Sequence, residues 1–281
     1  MSRSAARLRL IFTAVPLLLM GLVLLVPALA GLLIPLTGRG HAFRAYRAVL
    51  ADPMFGAALR NNLLIPLLSL GIEFAGGFAL ALFVTWRRSP LVEIAVVVPF
   101  ALPEIVLLAL ARFIFLPRGY LNGALLAAGG VPVDWLRPGS WLALLTVSVV
   151  DAWHVTPVVM LILAAGLRSI PAELYEAALL DGAGRLSLFR HITLPLMAPA
   201  LASALLLRGF DAMRIFSTVL VLAGAEGTPV LSTYAYQLWS DQLAPGRAMA
   251  AASLLGLLVT VLGLAGLGLG RRLSRQRGSL P

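Results

Sequence analysis

The sequence predicts an all-α, polytopic membrane protein with six transmembrane helices and both termini on the cytoplasmic side. Three observations lead there. Of 281 residues, 60% are hydrophobic and only 12% charged, with a mean hydropathy of +0.96; a water-soluble domain carries about twice that charged fraction. The apolar residues fall in long blocks and not at amphipathic spacing. Arg residues gather between alternate blocks, the bias that sets the orientation of membrane helices.

A helix crossing about 30 Å of hydrocarbon needs about 20 mostly apolar residues. Six stretches qualify, at residues 10–36, 63–84, 91–115, 141–167, 194–223 and 247–270. The first follows Arg3, Arg7 and Arg9 and contains Ala28-Leu29-Ala30, which imitates a secretory signal and its cleavage site. Its uncharged run continues past that site, which favours a retained span. Pro66, Pro99, Pro103 and Pro157 lie within the spans, where neighbouring helices can satisfy the backbone groups they free. Residues 1–60 read as an N-terminal span with its outer loop, and 61–281 as a core of five spans with an inner loop at 168–195.

With the N-terminus inside, the inner segments hold Arg3, Arg7, Arg9, Arg87, Arg88, Arg168, Arg185, Arg190, Arg271, Arg272, Arg275 and Arg277. The outer segments hold Arg39, Arg44, Arg47, Arg60, Arg118 and Arg137, so the bias points to both termini inside although the first outer loop is basic. The location this implies is the cytoplasmic (inner) membrane.

Composition also excludes functions. All 22 basic residues are Arg. A phosphate-binding loop needs a Lys to reach the nucleotide phosphates, so any ATP hydrolysis belongs to another chain. No basic stripe interleaved with aromatics suggests nucleic acid, and the Arg residues read as membrane-border charges. There is no Cys, hence no disulfide framework, thiolate metal site or Cys nucleophile. His41, His154 and His191 lack ligand spacing, which argues against a metal site.

The inner loop carries the most specific pattern. Pro171 suits a helix start, and Glu173 and Glu176 lie near the positive end of that helix. Ala177, Ala178, Leu179 and Leu180 propagate it past Asp181, and Gly182 can adopt the left-handed conformation that ends it. A second helix starts near Ser187 and runs through Ile192-Thr193-Leu194-Pro195 into the fifth span. The expected product is a small helical knob on the membrane face.

This spacing, Glu176-Ala177-Ala178, then Gly182, then Ile192, Leu194 and Pro195, resembles the signature of ABC-importer permeases of the binding-protein-dependent type. The resemblance implies the type I importer permease fold and a coupling helix docked on an ATPase subunit. It implies as partners a second permease chain in a heterodimer, two ATPase subunits that bind ATP and Mg, and an extracytoplasmic solute-binding protein. No cofactor is expected on this chain itself, and no catalytic set is recognisable.

The resemblance covers roughly the last two-thirds of the chain. Residues 208–216, Gly227-Thr228-Pro229, residues 231–237 and residues 246–253 look like permeases for disaccharides, oligosaccharides and glycerol phosphates, closest to the larger maltose permease subunit. The Thr-Gly-Gly-Gly-Pro usual there is degraded to residues 222–229, which weakens the sugar assignment only. Alternatives are the same importer class for a non-sugar solute, or an ion-gradient-driven carrier using Glu73, Glu104 or Asp151.

Polar residues inside spans usually face a bundle interior or a water-filled cavity. Asp151, Trp153 and His154 on the fourth span, and Arg208, Asp211, Arg214 and Phe216 on the fifth, are the candidate solute path. A carboxylate accepts from sugar hydroxyls and an aromatic stacks on the ring. Equally, Asp211 can pair with Arg208 or Arg214, and Asp151 with His154, to hold helices together. Glu93 reads as interfacial beside Arg87 and Arg88, and Glu104 either lines a cavity or pairs with Arg112.

Overall fold

The computed structural model describes residues 43–87 and 90–277, with isolated positions between 13 and 33. Most of the expected first span, with Arg3, Arg7, Arg9, Arg39, His41 and Arg88, lies outside the described residues. One described position there, Gly31, accepts a hydrogen bond from Ser253 Oγ at 2.8 Å.

The helices are α1 (Arg44–Leu50), α2 (Pro53–Arg87), α3 (Pro90–Val97), a 3₁₀ turn at Val98–Ala101, α4 (Glu104–Phe115), α5 (Tyr120–Ala127) and α6 (Trp141–Arg168). After the inner loop helix α7 (Ala172–Leu180), α8 (Arg185–Leu188) passes through a π turn at Phe189–Thr193 into α9 (Leu194–Ala212). The chain ends with α10 (Ser217–Leu222), α11 (Gly224–Gly227), α12 (Leu231–Ser240) and α13 (Pro245–Arg277). Four helical stretches are long and apolar enough to cross a membrane: Pro53–Arg87, Trp141–Arg168, Arg185–Ala212 and Pro245–Gly268.

Helix α6 is the hub. Its most apolar window is 56% buried, against 22–28% for the other three, whose outward faces carry Leu67, Leu205, Leu257 and Leu264 to the exterior. In water such a surface would be costly, whereas lipid tails solvate it. Helices α2 and α6 run parallel and in register. Ser148 Oγ donates to the Ile65 carbonyl at 3.4 Å, and Ser69 Oγ donates to Asp151 Oδ2 at 2.6 Å, offsets of 83 and 82 residues. Between these two parallel neighbours the chain returns along the bundle through residues 90–115.

That return is not the continuous span expected. It breaks into α3, the 3₁₀ turn and α4 at Pro99 and Pro103. Neither Pro can donate to the preceding turn, and two of them four residues apart leave no room to resume the helix. Pro66 and Pro157, by contrast, sit inside the unbroken α2 and α6.

The fifth span, expected to run to residue 223, is also interrupted, between Ala212 and Ser217. The carbonyls freed there are taken by side chains of other helices. Asn62 Nδ2 donates to the Met213 carbonyl at 3.1 Å, and Ser232 Oγ donates to that of Ile215. Asn62 Oδ1 also accepts from the Leu231 backbone N–H at 3.2 Å, so one buried amide fixes both the break and the start of α12. Arg60, Asn61 and Asn62 are built into α2.

Helix α9 runs antiparallel to α6, with a close contact at its start. A Cβ on Gly166 would lie 2.6 Å from Ala200 Cβ and 3.1 Å from Met197 Sδ, so only glycine fits. Helix α13 returns antiparallel to α9, with Phe210 over Gly263 and Leu206 over Gly266. These directions put the inner loop, the C-terminal end of α2, the start of α3 and the end of α13 at one end of the bundle. Helices α1, α5 and α12 lie at the other.

Candidate solute path and docking loop

Midway along the bundle, α2, α6 and α9 converge on a buried ionic cluster. On α2 the buried residues Asn62, Ser69, Glu73 and Gly77 are seven, four and four residues apart, the spacing of one helical face. Arg208 from α9 donates through Nε and Nη2 to the two carboxylate oxygens of Glu73, both at 2.9 Å. The pair is shielded, at 4% and 0% side-chain exposure. Nη1 of Arg208 donates to Asp211 Oδ2 on the next turn of α9, and Asp151 Oδ2 lies 3.9 Å from Nη2. Ser69 Oγ also approaches Glu73 Oε1 at 2.8 Å, and Thr218 Oγ1 donates to Asp151 Oδ1 at 3.2 Å. A charge buried in a membrane helix is tolerable when it is paired and hydrogen-bonded in this way.

The cluster opens on one side into a cavity of about 230 Å³. Asp211, whose side chain is 72% exposed, projects into it from the Arg208 pair. Glu104, His154, Arg214 and Phe216 line the remaining walls, with Asp151 and Arg208 behind them. Phe100 also lines it and packs on the His154 ring at 5.9 Å, and Phe216 meets Tyr236 edge-on at 5.6 Å. The cavity is therefore lined by carboxylates, the Arg208 and Arg214 guanidinium groups and the side chains of Phe100 and Phe216.

Most sequence-predicted path residues meet here. Asp151, His154, Arg208, Asp211, Arg214 and Phe216 line one space, although Arg214 sits beyond the end of α9 instead of on its face. Trp153 lies apart, half-exposed on another side of α6. Asp211 pairs with Arg208 and faces the cavity. Asp151 is held by Ser69 and Thr218, not by His154. Glu104 lines the cavity while Arg112 donates to the Val221 carbonyl at 2.7 Å. Glu93 pairs with Arg168 at 2.7 Å, a surface contact worth about 0–1 kcal/mol. Ser69 and Thr218, and the partnership of Glu73 with Arg208, were missed. The face shared by Asn62, Ser69 and Glu73 was the available signal.

At the inner end, α7 is capped by local geometry. Pro171 precedes it, and Gly182 follows at φ +80°. The Ala183 N–H donates to the Ala178 carbonyl at 2.9 Å and the Gly182 N–H to that of Leu179 at 3.0 Å, the paired bonds of a Schellman motif. The interval from Ala178 to Gly182 is thus the span of one helix cap. Tyr175 Oη and Thr193 Oγ1, 3.0 Å apart, tie the knob to the π turn, and Thr193 is buried. No residue of α7 is buried, and Glu173, Glu176, Ala177, Leu179, Leu180 and Asp181 all face outward. Ile192 is half-buried at the knob's base, with Leu194 and Pro195 exposed beside it.

Residues 73–277 match the family described as binding-protein-dependent transport system inner membrane component. The chain belongs to that family. As an inner-membrane transport component it has sugar-permease relatives. It is 36% identical over 185 residues to the trehalose/maltose transport system permease protein MalF of Thermococcus litoralis, covering 64% of this chain and 62% of that one. It is 31% identical over 201 residues to the sulfoquinovosyl glycerol transport system permease protein SmoG of Agrobacterium fabrum, covering 69% and 65%. The chain thus spans less than two thirds of the length of these relatives. A chain in the crystal structure of a bacterial alginate ABC transporter, in complex with an alginate pentasaccharide-bound periplasmic protein, superposes with a TM-score of 0.84. That match covers 96% of both chains at 24% identity and establishes the common fold.

Proposed function

We propose that this inner-membrane component is the permease subunit of an ATP-driven, binding-protein-dependent importer of carbohydrates. The observation that carries the reading is α7, a Schellman-capped helix with no buried residue, presenting Glu176, Ala177 and the 89%-exposed Leu180 at the end of a membrane bundle. Small Ala residues allow close packing, Leu180 supplies an apolar contact and Glu176 a charge for a partner Arg. Such a surface suits the cleft of an ATPase subunit. The Tyr175–Thr193 contact and the α9 connection would pass its movement to the spans as a rigid-body shift.

In this reading six spans cross the cytoplasmic membrane with both termini inside, the first within residues 10–36 and the third broken at Pro99 and Pro103. Residues 61–281 form the transport core. Arg87, Arg168, Arg185 and Arg190 share the end of the bundle that carries α7, which agrees with a cytoplasmic knob. ATP and Mg bind on two ATPase subunits. A second, different permease completes the path, and an external binding protein delivers solute.

The carbohydrate assignment rests on the cavity, where carboxylates can accept from hydroxyls and Phe100 and Phe216 can face a sugar ring. The trehalose/maltose relative supports it. The test is ATP hydrolysis by the complex reconstituted in proteoliposomes. Sugar-loaded binding protein should stimulate hydrolysis and drive uptake, whereas uptake that follows a proton gradient and ignores ATP would refute the reading.

A further inference from the structure

We infer that the cavity beside Asp211 selects uncharged saccharides and rejects acidic ones; this rests on the importer reading above and narrows it. The ground is the charge around the space. Glu104, Asp151 and Asp211 line it and Glu73 lies directly behind Arg208, against Arg208 and Arg214 of opposite sign among the described residues. Even with the buried Asp151 left out of the sum, the carboxylates of Glu73, Glu104 and Asp211 outnumber the guanidinium groups of Arg208 and Arg214 among the described residues, so the surroundings are negative.

Arg208 has little attraction left for an anionic solute. Its Nε and Nη2 hold Glu73, its Nη1 holds Asp211, and its side chain is 4% exposed. Among the described residues Arg214 is the other cation lining the cavity, and it shares the space with Glu104 and Asp211. A uronic acid carboxylate or a sulfonate entering here would sit beside surplus negative charge. Like charges a few ångströms apart at so exposed a wall lower binding by roughly tenfold.

An uncharged sugar meets no such penalty. Its hydroxyls can donate to Asp211 and Glu104 and accept from Arg214, while a ring face lies against Phe216, whose position is set by Tyr236. Negative lining with aromatic faces thus fits a donor-rich neutral solute.

The experiment measures equilibrium binding of tritiated trehalose and maltose, and of a glucuronic-acid-containing disaccharide of matched size, to the purified complex without binding protein. Neutral sugars should bind at least about tenfold more tightly than the acidic one. Glu104→Gln and Asp211→Asn, separately and together, should narrow that gap by raising the affinity for the acidic sugar. Glu104 makes none of the contacts that hold the buried ionic cluster, so the first variant separates selectivity from folding. Equal or tighter binding of the acidic sugar, a gap unchanged in the double variant, or binding of neither class would overturn the inference. ATP-driven uptake of an acidic sugar would sink it and leave the importer reading standing, whereas ATP-independent uptake of every sugar would sink the importer reading.

Discussion

Arg208 grips Glu73 with two parallel hydrogen bonds of 2.9 Å across 135 residues of sequence, in a site closed to solvent. This pair joins α9 to α2 and sets the height at which Asp211 enters the cavity. It makes the cavity wall part of the bundle's structure and not a late addition to its surface.

Removing one partner should therefore be far worse than removing both. Arg208→Ala leaves Glu73 buried and unpaired, and should lower the stability of the purified complex by about 3–5 kcal/mol. Glu73→Met combined with Arg208→Met should recover much of that loss while abolishing solute binding. Thermal unfolding of the detergent-solubilised complex, read beside sugar binding, compares the two.

Asn62 should control the interrupted fifth span. Asn62→Leu removes the acceptor for the Leu231 N–H and the donor to the Met213 carbonyl, each orphaned group costing about 1–3 kcal/mol. Amide exchange should accelerate around 213–231 and stay unchanged in α2 and α6. Faster exchange throughout the bundle would show that Asn62 acts on global stability instead.

Gly182 should tolerate Asn and reject Val. At φ +80° a side chain costs about 1–2 kcal/mol, least for Asn and most for a β-branched residue. Gly182→Val should insert into the membrane normally yet fail to couple ATP hydrolysis to uptake, and Gly182→Asn should keep most of the coupling. Equal activity in both would separate the left-handed cap from coupling.

Leu180→Asp should change assembly and not folding. Leu180 is 89% exposed, so its replacement should shift stability by less than about 0.5 kcal/mol. Copurification with the ATPase subunit should fall sharply while the melting temperature holds. A variant that still copurifies would place the apolar contact elsewhere on α7.

The sequence disclosed those features whose hydrogen bonds are local. The knob was legible because Ala178, Gly182 and Ala183 lie within one helix cap, and the apolar blocks located α2, α6, α9 and α13. The Glu73–Arg208 pair was hidden because its partners are far apart in sequence and an apolar window averages single charges away. The break after Ala212 was hidden for a related reason. Its carbonyls are satisfied by Asn62 and Ser232, and no nearby Pro or Gly run marks it. Pro residues alone were ambiguous, since Pro99 and Pro103 divide residues 90–115 while Pro66 and Pro157 leave their helices whole.

The chain contains no cysteine, so a single introduced thiol reports one position. Ala177→Cys on α7, carrying a short benzophenone photocrosslinker, tests the docking role most directly in membranes that contain the assembled transporter. The expected result is one adduct whose mass and peptides identify the ATPase subunit, absent when the probe sits on Leu243→Cys, an exposed position at the opposite end of the bundle. No ATPase adduct at Ala177, or the same adduct at Leu243, would contradict the account.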